Sequence, residues 1–232
     1  PPEAGTIRIV QISDVHVGLI VRDERLTKIL SKVKEAAPDI LISTGDLVDG
    51  ELNDLDGLVS LFKEIRPKFG KFAITGNHEF YAGLPQTLAF TRKAGFTVLR
   101  GEHRDIQGIL NIAGIDDITA GYYGEQIIPE KDLLAGVSRN VFTIFLKHRP
   151  LISKESLGLF DLQLSGHVHK GQIFPFSIIT GLYYETQSGF AKLPSNASLY
   201  VSRGSGTWGP PIRFLSPPEV TIIDLIPAGG ER

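Results

Sequence analysis

The chain has 232 residues, of which 42% are hydrophobic and 22% charged, with a formal net charge of −2. That length suits one large domain. The charge balance gives no global attraction for nucleic acid or an anionic membrane, and the absence of cysteine excludes disulfides and zinc–thiolate sites.

The first hundred residues alternate strand and helix. Thr6 to Ile12 is an apolar, β-branched strand ending in Ser13-Asp14. Glu24 to Ala37 places Leu26, Ile29, Leu30 and Val33 at helical spacing, and Pro38 stops it. Ile40 to Thr44 is a second strand, ending in Gly45-Asp46. Leu55 to Ile65 is a second amphipathic helix. Lys71 to Thr75 is a third strand, ending in Gly76-Asn77-His78, and Leu84 to Ala94 a third helix. This β-α-β-α-β-α order predicts parallel strands joined by right-handed crossovers.

The second half predicts strands over Ile109 to Ile115, Val141 to Lys147 and Leu159 to Ser165, then over Leu182 to Thr186, Ser198 to Val201 and Val220 to Leu225. Only Glu130 to Ala135 and Lys154 to Leu157 read as helices. The expectation is a second, more antiparallel sheet packed on the first, within a single domain over 1–232. Methionine is absent, and the chain begins Pro1-Pro2-Glu3 without an initiator. We therefore expect a processed or truncated chain, soluble as it stands, whose signal or membrane anchor would precede Pro1. No run approaches the ~18 apolar residues of a spanning helix.

Five polar clusters follow the apolar runs: Asp14-Val15-His16, Gly45-Asp46, Gly76-Asn77-His78-Glu79, His148, and Gly166-His167-Val168-His169. Strand ends of open α/β sheets are where ligand sites form. Asp14 and His16 share a face at one strand end. Gly45 lets the backbone approach closely, and the two carboxylate oxygens of Asp46 can bridge two cations. Asn77, His148, His167 and His169 add one amide oxygen and three imidazoles. These side chains exceed what one tetrahedral zinc uses. They suit two divalent ions, with a bridging water acidified into a nucleophile. His78 is then left outside the metal shell as proton donor to a leaving oxygen or as a charge stabiliser.

Taken singly, each cluster has an ordinary reading. Gly-Asp is often a turn, Asn77 suits a helix N-cap, and Gly-His-x-His occurs in exposed turns. Their occurrence together, in this order and at strand ends, is what points to metals. His103, in a polar turn, is read as structural. Asp49 is expected to orient a ligand or cap a turn, and Glu79 to hydrogen-bond a histidine. Arg149 and Lys170 could clamp phosphate, with surface charge as the default. Tyr81, Tyr122, Tyr123, Phe174, Phe176 and Trp208 line a pocket for an apolar substrate or pack a core or lid.

Together these residues resemble the calcineurin-like metallophosphoesterase superfamily, whose motif series runs here from Asp14 to His169. The resemblance implies a four-layer α/β/β/α sandwich of two mixed sheets flanked by helices. It implies a first metal on Asp14, His16, Asp46 and His169, and a second on Asp46, Asn77, His148 and His167. The two divalent ions would be Mn, Fe, Zn or Mg. The stretches Ser165 to Gln172 and Tyr200 to Arg213 are similar to a bacterial phosphodiesterase subgroup, related to enzymes that split the pyrophosphate of UDP-2,3-diacylglucosamine. Members often carry an export signal or N-terminal membrane helices before this domain. Val168 departs from the Thr common between the two histidines.

The implied activity is hydrolysis of a phosphodiester or pyrophosphate bond by a metal-bridging hydroxide, on a phosphorylated small molecule or a lipid-linked substrate. Membrane association would come through a segment ahead of Pro1. Two other readings compete. One is a non-catalytic, protein-binding scaffold of the same fold, which would usually lose metal ligands. The other is a metallohydrolase of non-phosphate esters or amides, which would usually show a His-x-His-x-Asp-His cluster.

Overall fold

The computed structural model describes residues 5–18, 20–50 and 56–227. Its first half follows the expected alternation. Strands β1 (Ile7–Ile12), β3 (Ile40–Ser43), β5 (Lys71–Ala73) and β6 (Thr97–Val98) pair in parallel, in that order. Strand β13 (Thr221–Leu225) closes the other edge antiparallel to β1. A short parallel pair, β2 (Val17–Gly18) and β4 (Val48–Asp49), joins the two loops that follow β1 and β3.

The first sheet is covered on both faces, which explains its unbroken apolar strands. Side chains alternate across a strand. Ile7, Ile9, Ile40 and Ile42 point to the second sheet, while Val10, Ile12 and Leu41 point to the helices. The helical layer comprises α1 (Asp23–Ala36), α2 (Asp56–Lys63) and α4 (Leu84–Lys93). Helix α1 buries Leu26, Leu30 and Val33 and ends where Ala37 turns left-handed ahead of Pro38. Burying a leucine in this way stabilises by about 1.5–3 kcal/mol. Expected Leu55 lies outside the described residues.

The second sheet has the order β11 (Gly189–Lys192), β12 (Ser198–Val201), β10 (Leu162–Ser165), β9 (Phe142–Leu146), β8 (Leu110–Gly114), β7 (Glu102–Ile106). Here the expectation needs correction. The interior pairs β8–β9, β9–β10 and β10–β12 are parallel, and only the edges β7 and β11 pair antiparallel. Short strands bounded by Gly and Pro suggested antiparallel neighbours, but the segments between the interior strands are crossovers between parallel ones. The inner face packs Leu110, Ile112, Ile144, Leu146 and Leu164 against the first sheet. The outer face packs Phe145 against Leu133 and Leu134 of α6 (Glu130–Ala135). Helices and sheets thus stack in four layers.

Local expectations also change. Leu182 to Thr186 is not a strand. Leu182 and Tyr183 end α7 (Phe176–Tyr183), where Ile178, Ile179, Leu182 and Tyr183 follow i,i+4 spacing. Lys154 to Leu157 forms turns rather than a helix. His103 lies on the exposed edge strand β7, not in a turn. Two short helices, α3 (Asn77–Tyr81) and α5 (Thr119–Tyr122), add to the expected elements.

Candidate metal centre

The C-terminal ends of β1, β3, β5, β9 and β10 converge where the two sheets meet, and each carries one polar cluster. The loops are laced together by their main chains. Asp14 N–H donates to Gly45 O (3.0 Å), and His16 N–H to Asp46 O (3.0 Å). His167 N–H donates to both Asp14 carboxylate oxygens at 3.0 Å, tying the second sheet to the first. Two glycines allow this density by close approach. A Cβ on Gly45 would sit 2.6 Å from His148 Nδ1, and one on Gly76 would collide with the Asp46 carboxylate. Asp14, His16, Asp46, His167 and His169 all have left-handed backbones, with φ from 49° to 70°. Such conformations cost energy in non-glycine residues and persist where the surrounding structure fixes them.

Three groups of potential ligands result, one of which joins His16 to Asp49 and His78. Asp14, His16 and His169 place one ligand atom each within 4.8 Å of one another, as do Asp46, His148 and His167. In the first group His16 Nε2 and His169 Nε2 face each other at 3.2 Å, with Asp14 Oδ1 3.4 Å from His169 Nε2. In the second, His148 Nε2 lies 3.2 Å from both His167 Nδ1 and Asp46 Oδ2. That Asp46 oxygen is also 3.9 Å from His16 Nε2, so it stands between the groups. Asn77 Oδ1 is buried with no hydrogen-bond partner, on the wall of the same cavity. Facing imidazole nitrogens, a shared carboxylate and an orphaned amide oxygen form a donor set that fits hard-to-borderline divalent cations.

The electrostatics agree with that fit. Burial lowers His167 to about 4, reinforced by His148, and lowers His169 to about 3. Both rings are therefore neutral at pH 7, with a lone pair to offer. His148 differs. Burial opposes its charge, but Asp46, Asp14 and Asp117 outweigh it and raise it to about 10. Its Nδ1 lies 2.8 Å from Thr44 O, a contact in which the ring must donate. This leaves Nε2 directed at Asp46, in the arrangement that orients metal-binding histidines. Burial disfavours charge on Asp46, yet His148, His16 and His78 hold its carboxyl well below the usual range.

Four further expected residues take distinct places. Asp49 sits between His16 Nδ1 (3.3 Å) and His78 Nδ1 (3.0 Å). Both contacts are at ion-pair distance, with the rings turned out of hydrogen-bond alignment. Glu79 bonds to no histidine, contrary to expectation. Its carboxylate accepts from the main-chain N–H groups of Asp46, Leu47, Val48 and Gly76. A carboxylate offers about four lone-pair sites, and this one spends them holding the Gly-Asp loop. Burial, with Asp46 beside it, pushes Glu79 up to about 7. Arg149 is not a free phosphate clamp, because its guanidinium donates to buried Asp117 at 2.8 and 3.2 Å. Lys170 lines a separate groove beside α7.

A cavity of about 550 Å3 opens over the ligands. Asp46, Asn77, His78, His167 and His169 form its polar floor, and Ile173, Phe176, Trp208 and Pro210 its apolar wall. Of the expected aromatics, Phe176 and Trp208 reach this wall. Tyr81 instead meets the His78 ring edge-on at 5.4 Å, and Tyr122, Tyr123 and Phe174 are exposed. The sequence reading missed Gln172 and Arg213. Gln172 clamps Trp208, accepting from its N–H (2.9 Å) and donating to its carbonyl (2.6 Å). Arg213 donates to the carbonyls of Arg203, Gly204 and Gly206 and lies 3.0 Å from His169 Nδ1. Both residues stand in the quoted stretches, but nothing in their spacing shows these contacts.

Comparison with known proteins gives the family. Residues 7–171 match the family described as calcineurin-like phosphoesterase. The chain is 42% identical over 226 residues to an uncharacterized metallophosphoesterase of Aquifex aeolicus (strain VF5), covering 97% of this chain and 87% of that protein. It is 32% identical over 241 residues to a Bos taurus transmembrane protein with metallophosphoesterase domain, covering 97% of this chain and 54% of that one. It likewise spans 60% or less of several other curated relatives. Among solved structures, a dimetal phosphatase from Danio rerio superposes with a TM-score of 0.54 at 11% identity, covering 86% of this chain and 88% of that one, a likeness of fold. The chain belongs to the calcineurin-like phosphoesterase family.

Proposed function

We propose that this chain hydrolyses a phosphodiester or pyrophosphate bond using two divalent metal ions. The observation that carries the reading is the pair of ligand groups, Asp14-His16-His169 and Asp46-His148-His167, with the Asp46 carboxylate between them. Asp14, His16, Asp46 and His169 would hold one ion, and Asp46, Asn77, His148 and His167 the other. When bound, such ions supply Lewis-acid polarisation of phosphoryl oxygens and a water acidified enough to attack at neutral pH.

The chain's own residues do the rest. His78 lines the cavity and clusters with Asp49 and His16, apart from the two groups on either side of Asp46, and it is assigned as proton donor to the leaving oxygen. Asp49 holds the His78 ring from its Nδ1 side. Glu79 fixes the main chain of Asp46 without touching the cavity floor. Ile173, Phe176 and Trp208 favour a substrate with an apolar part next to its phosphate, in keeping with a lipid-linked or aryl-bearing phosphorylated molecule. Association of a longer protein with a membrane through a preceding segment is supported by the relative named as a transmembrane protein. No helix among the described residues is long and apolar enough to cross a membrane.

A protein-binding scaffold is the second reading. The complete donor set argues against it, since a scaffold has no use for buried lone pairs. Metal analysis with a panel of monoesters, diesters, and lipid or nucleotide pyrophosphates tests both readings. The expected result is about two ions per chain, activity on diesters or pyrophosphates that chelation abolishes, and recovery with Mn2+. Full hydrolysis after exhaustive chelation would overturn the metal reading. Metal binding with no hydrolysis of any substrate in the panel would favour the scaffold.

A further inference from the structure

Helix α7 is the anomaly of this fold. It spans Phe176–Tyr183, and none of its eight residues is buried. Ile178, Ile179, Leu182 and Tyr183 are 60%, 52%, 80% and 77% exposed. Scattered surface apolar residues are ordinary, but a contiguous apolar face marks an interaction site. Contiguity here is set by the main chain. Phe174 N–H donates to Phe214 O, and Phe214 N–H to Gln172 O. This brings exposed Phe214 and Leu215 beside the α7 entry. Residues 171–184 carry no charged side chain.

We propose that α7 and the 208–215 loop form a docking surface for an anionic lipid bilayer. Three observations select this occupant. First, the face is rimmed by cations. Lys170 lines the groove holding Ile178 and Leu182, and Lys192 Nζ sits 5.3 Å over the exposed Phe190 ring in the same groove. Glu185 is the one carboxylate there. This local excess runs against the chain's net charge of −2 and complements anionic headgroups. Second, the face mixes aliphatic side chains with Tyr183 and Trp208, amphipathic rings suited to the membrane–water boundary. Third, Phe176 and Trp208 also form the wall of the site cavity, so the docking face runs into its mouth. A folded protein seated there would cap the cavity. A fluid surface leaves the mouth open to molecules lying within it.

The inference goes beyond the hydrolytic reading and does not depend on it. The test is co-sedimentation of the chain with vesicles of phosphatidylcholine containing on the order of one third phosphatidylglycerol. Emission from Trp208, the single tryptophan, is read in parallel. The expected result is partition into the pellet with a shift of Trp208 emission to shorter wavelength. Ile178→Ser combined with Leu182→Ser lies outside the catalytic cavity. It should weaken partition by about tenfold or more, with hydrolysis of a soluble aryl phosphodiester unchanged. Wild-type protein left in the supernatant, or a double variant that partitions like wild type, overturns the proposal. So does a dimer in light scattering that the same double variant dissociates, which would assign the face to a second copy of this chain.

Discussion

One carboxylate oxygen of Asp49 lies 3.0 Å from His78 Nδ1, while the other lies 3.3 Å from His16 Nδ1. A single side chain thus couples the proposed proton donor to a proposed metal ligand. Burial opposes charge on His78, but Asp49 and Asp46 raise its pKa. Asp49 therefore acts as a positioning residue whose charge favours the protonated form of His78 beside the cavity. Asp49→Asn keeps the shape and removes the charge. It should lower kcat by about 10–100-fold with little change in KM, while metal analysis still finds wild-type content. Unchanged kcat would return Asp49 to an ordinary loop residue.

Glu79 carries a different kind of prediction. Its two oxygens face only donors, the N–H groups of Asp46, Leu47, Val48 and Gly76. Glu79→Gln would replace one acceptor with an NH2 that confronts N–H groups. Each buried donor left unpaired costs about 1–3 kcal/mol. The variant should be about 2–3 kcal/mol less stable in urea unfolding, and should bind metal more weakly because the Asp46 loop loosens. Stability equal to wild type would mean that the loop holds itself.

The candidate donors are legible in the sequence because strand ends and residue type together single them out. Asp14, His16, Asp46, Asn77, His148, His167 and His169 could all be named from the chain, and the folded chain brings them together. The parallel core of the first sheet was legible for a similar reason, since strands buried on both faces are apolar throughout. What stayed hidden depends on partners far along the chain. Gln172 meets Trp208 and Arg213 meets His169 only after the 203–218 loop folds back, with Ser205 N–H donating to Ser13 O and Gly206 N–H to Asp14 O. Helix α7 was misread because its i,i+4 pairs repeat only once in eight residues, too short a span to separate helix from strand, and its lack of burial leaves no core contact to betray its type. The parallel pairing of β9, β10 and β12 was missed because turn residues mark where a strand ends, not which neighbour comes next.

The left-handed ligands give a prediction about stored strain. His16 has φ 55° and is buried. A non-glycine residue in this region costs about 1–2 kcal/mol relative to glycine. His16→Ala and His16→Gly both delete the imidazole, but only the glycine variant releases that strain. With metal removed by chelation, the glycine variant should be the more stable of the two by about 1 kcal/mol, after the greater chain entropy of unfolded glycine is deducted. Urea unfolding of both variants reads the difference. An alanine variant as stable as the glycine one would show that the backbone relaxes once the ring is gone.

Lys71 gives a prediction far from the metal centre. It opens β5 and is buried, with Nζ donating to Phe62 O in α2 (2.8 Å) and to Ala94 O at the end of α4 (2.6 Å). The cation thus ties the C-terminal ends of two helices, where the macrodipoles favour positive charge. Burial, aided by Lys63 and Arg66, still lowers its pKa from 10.5 to about 8. Between those values the unfolded chain holds a proton that the folded chain has released, so stability rises with pH across this window. The contribution is present above 10.5 and lost as pH falls through about 8. Lys71→Met removes the titrating group and its pH dependence. The unfolding free energy of wild type minus that of the variant should therefore rise between about pH 8 and 10.5 and stay flat below. Urea unfolding at matched ionic strength measures it, and a difference constant through the window would show that the ammonium keeps its proton in the fold.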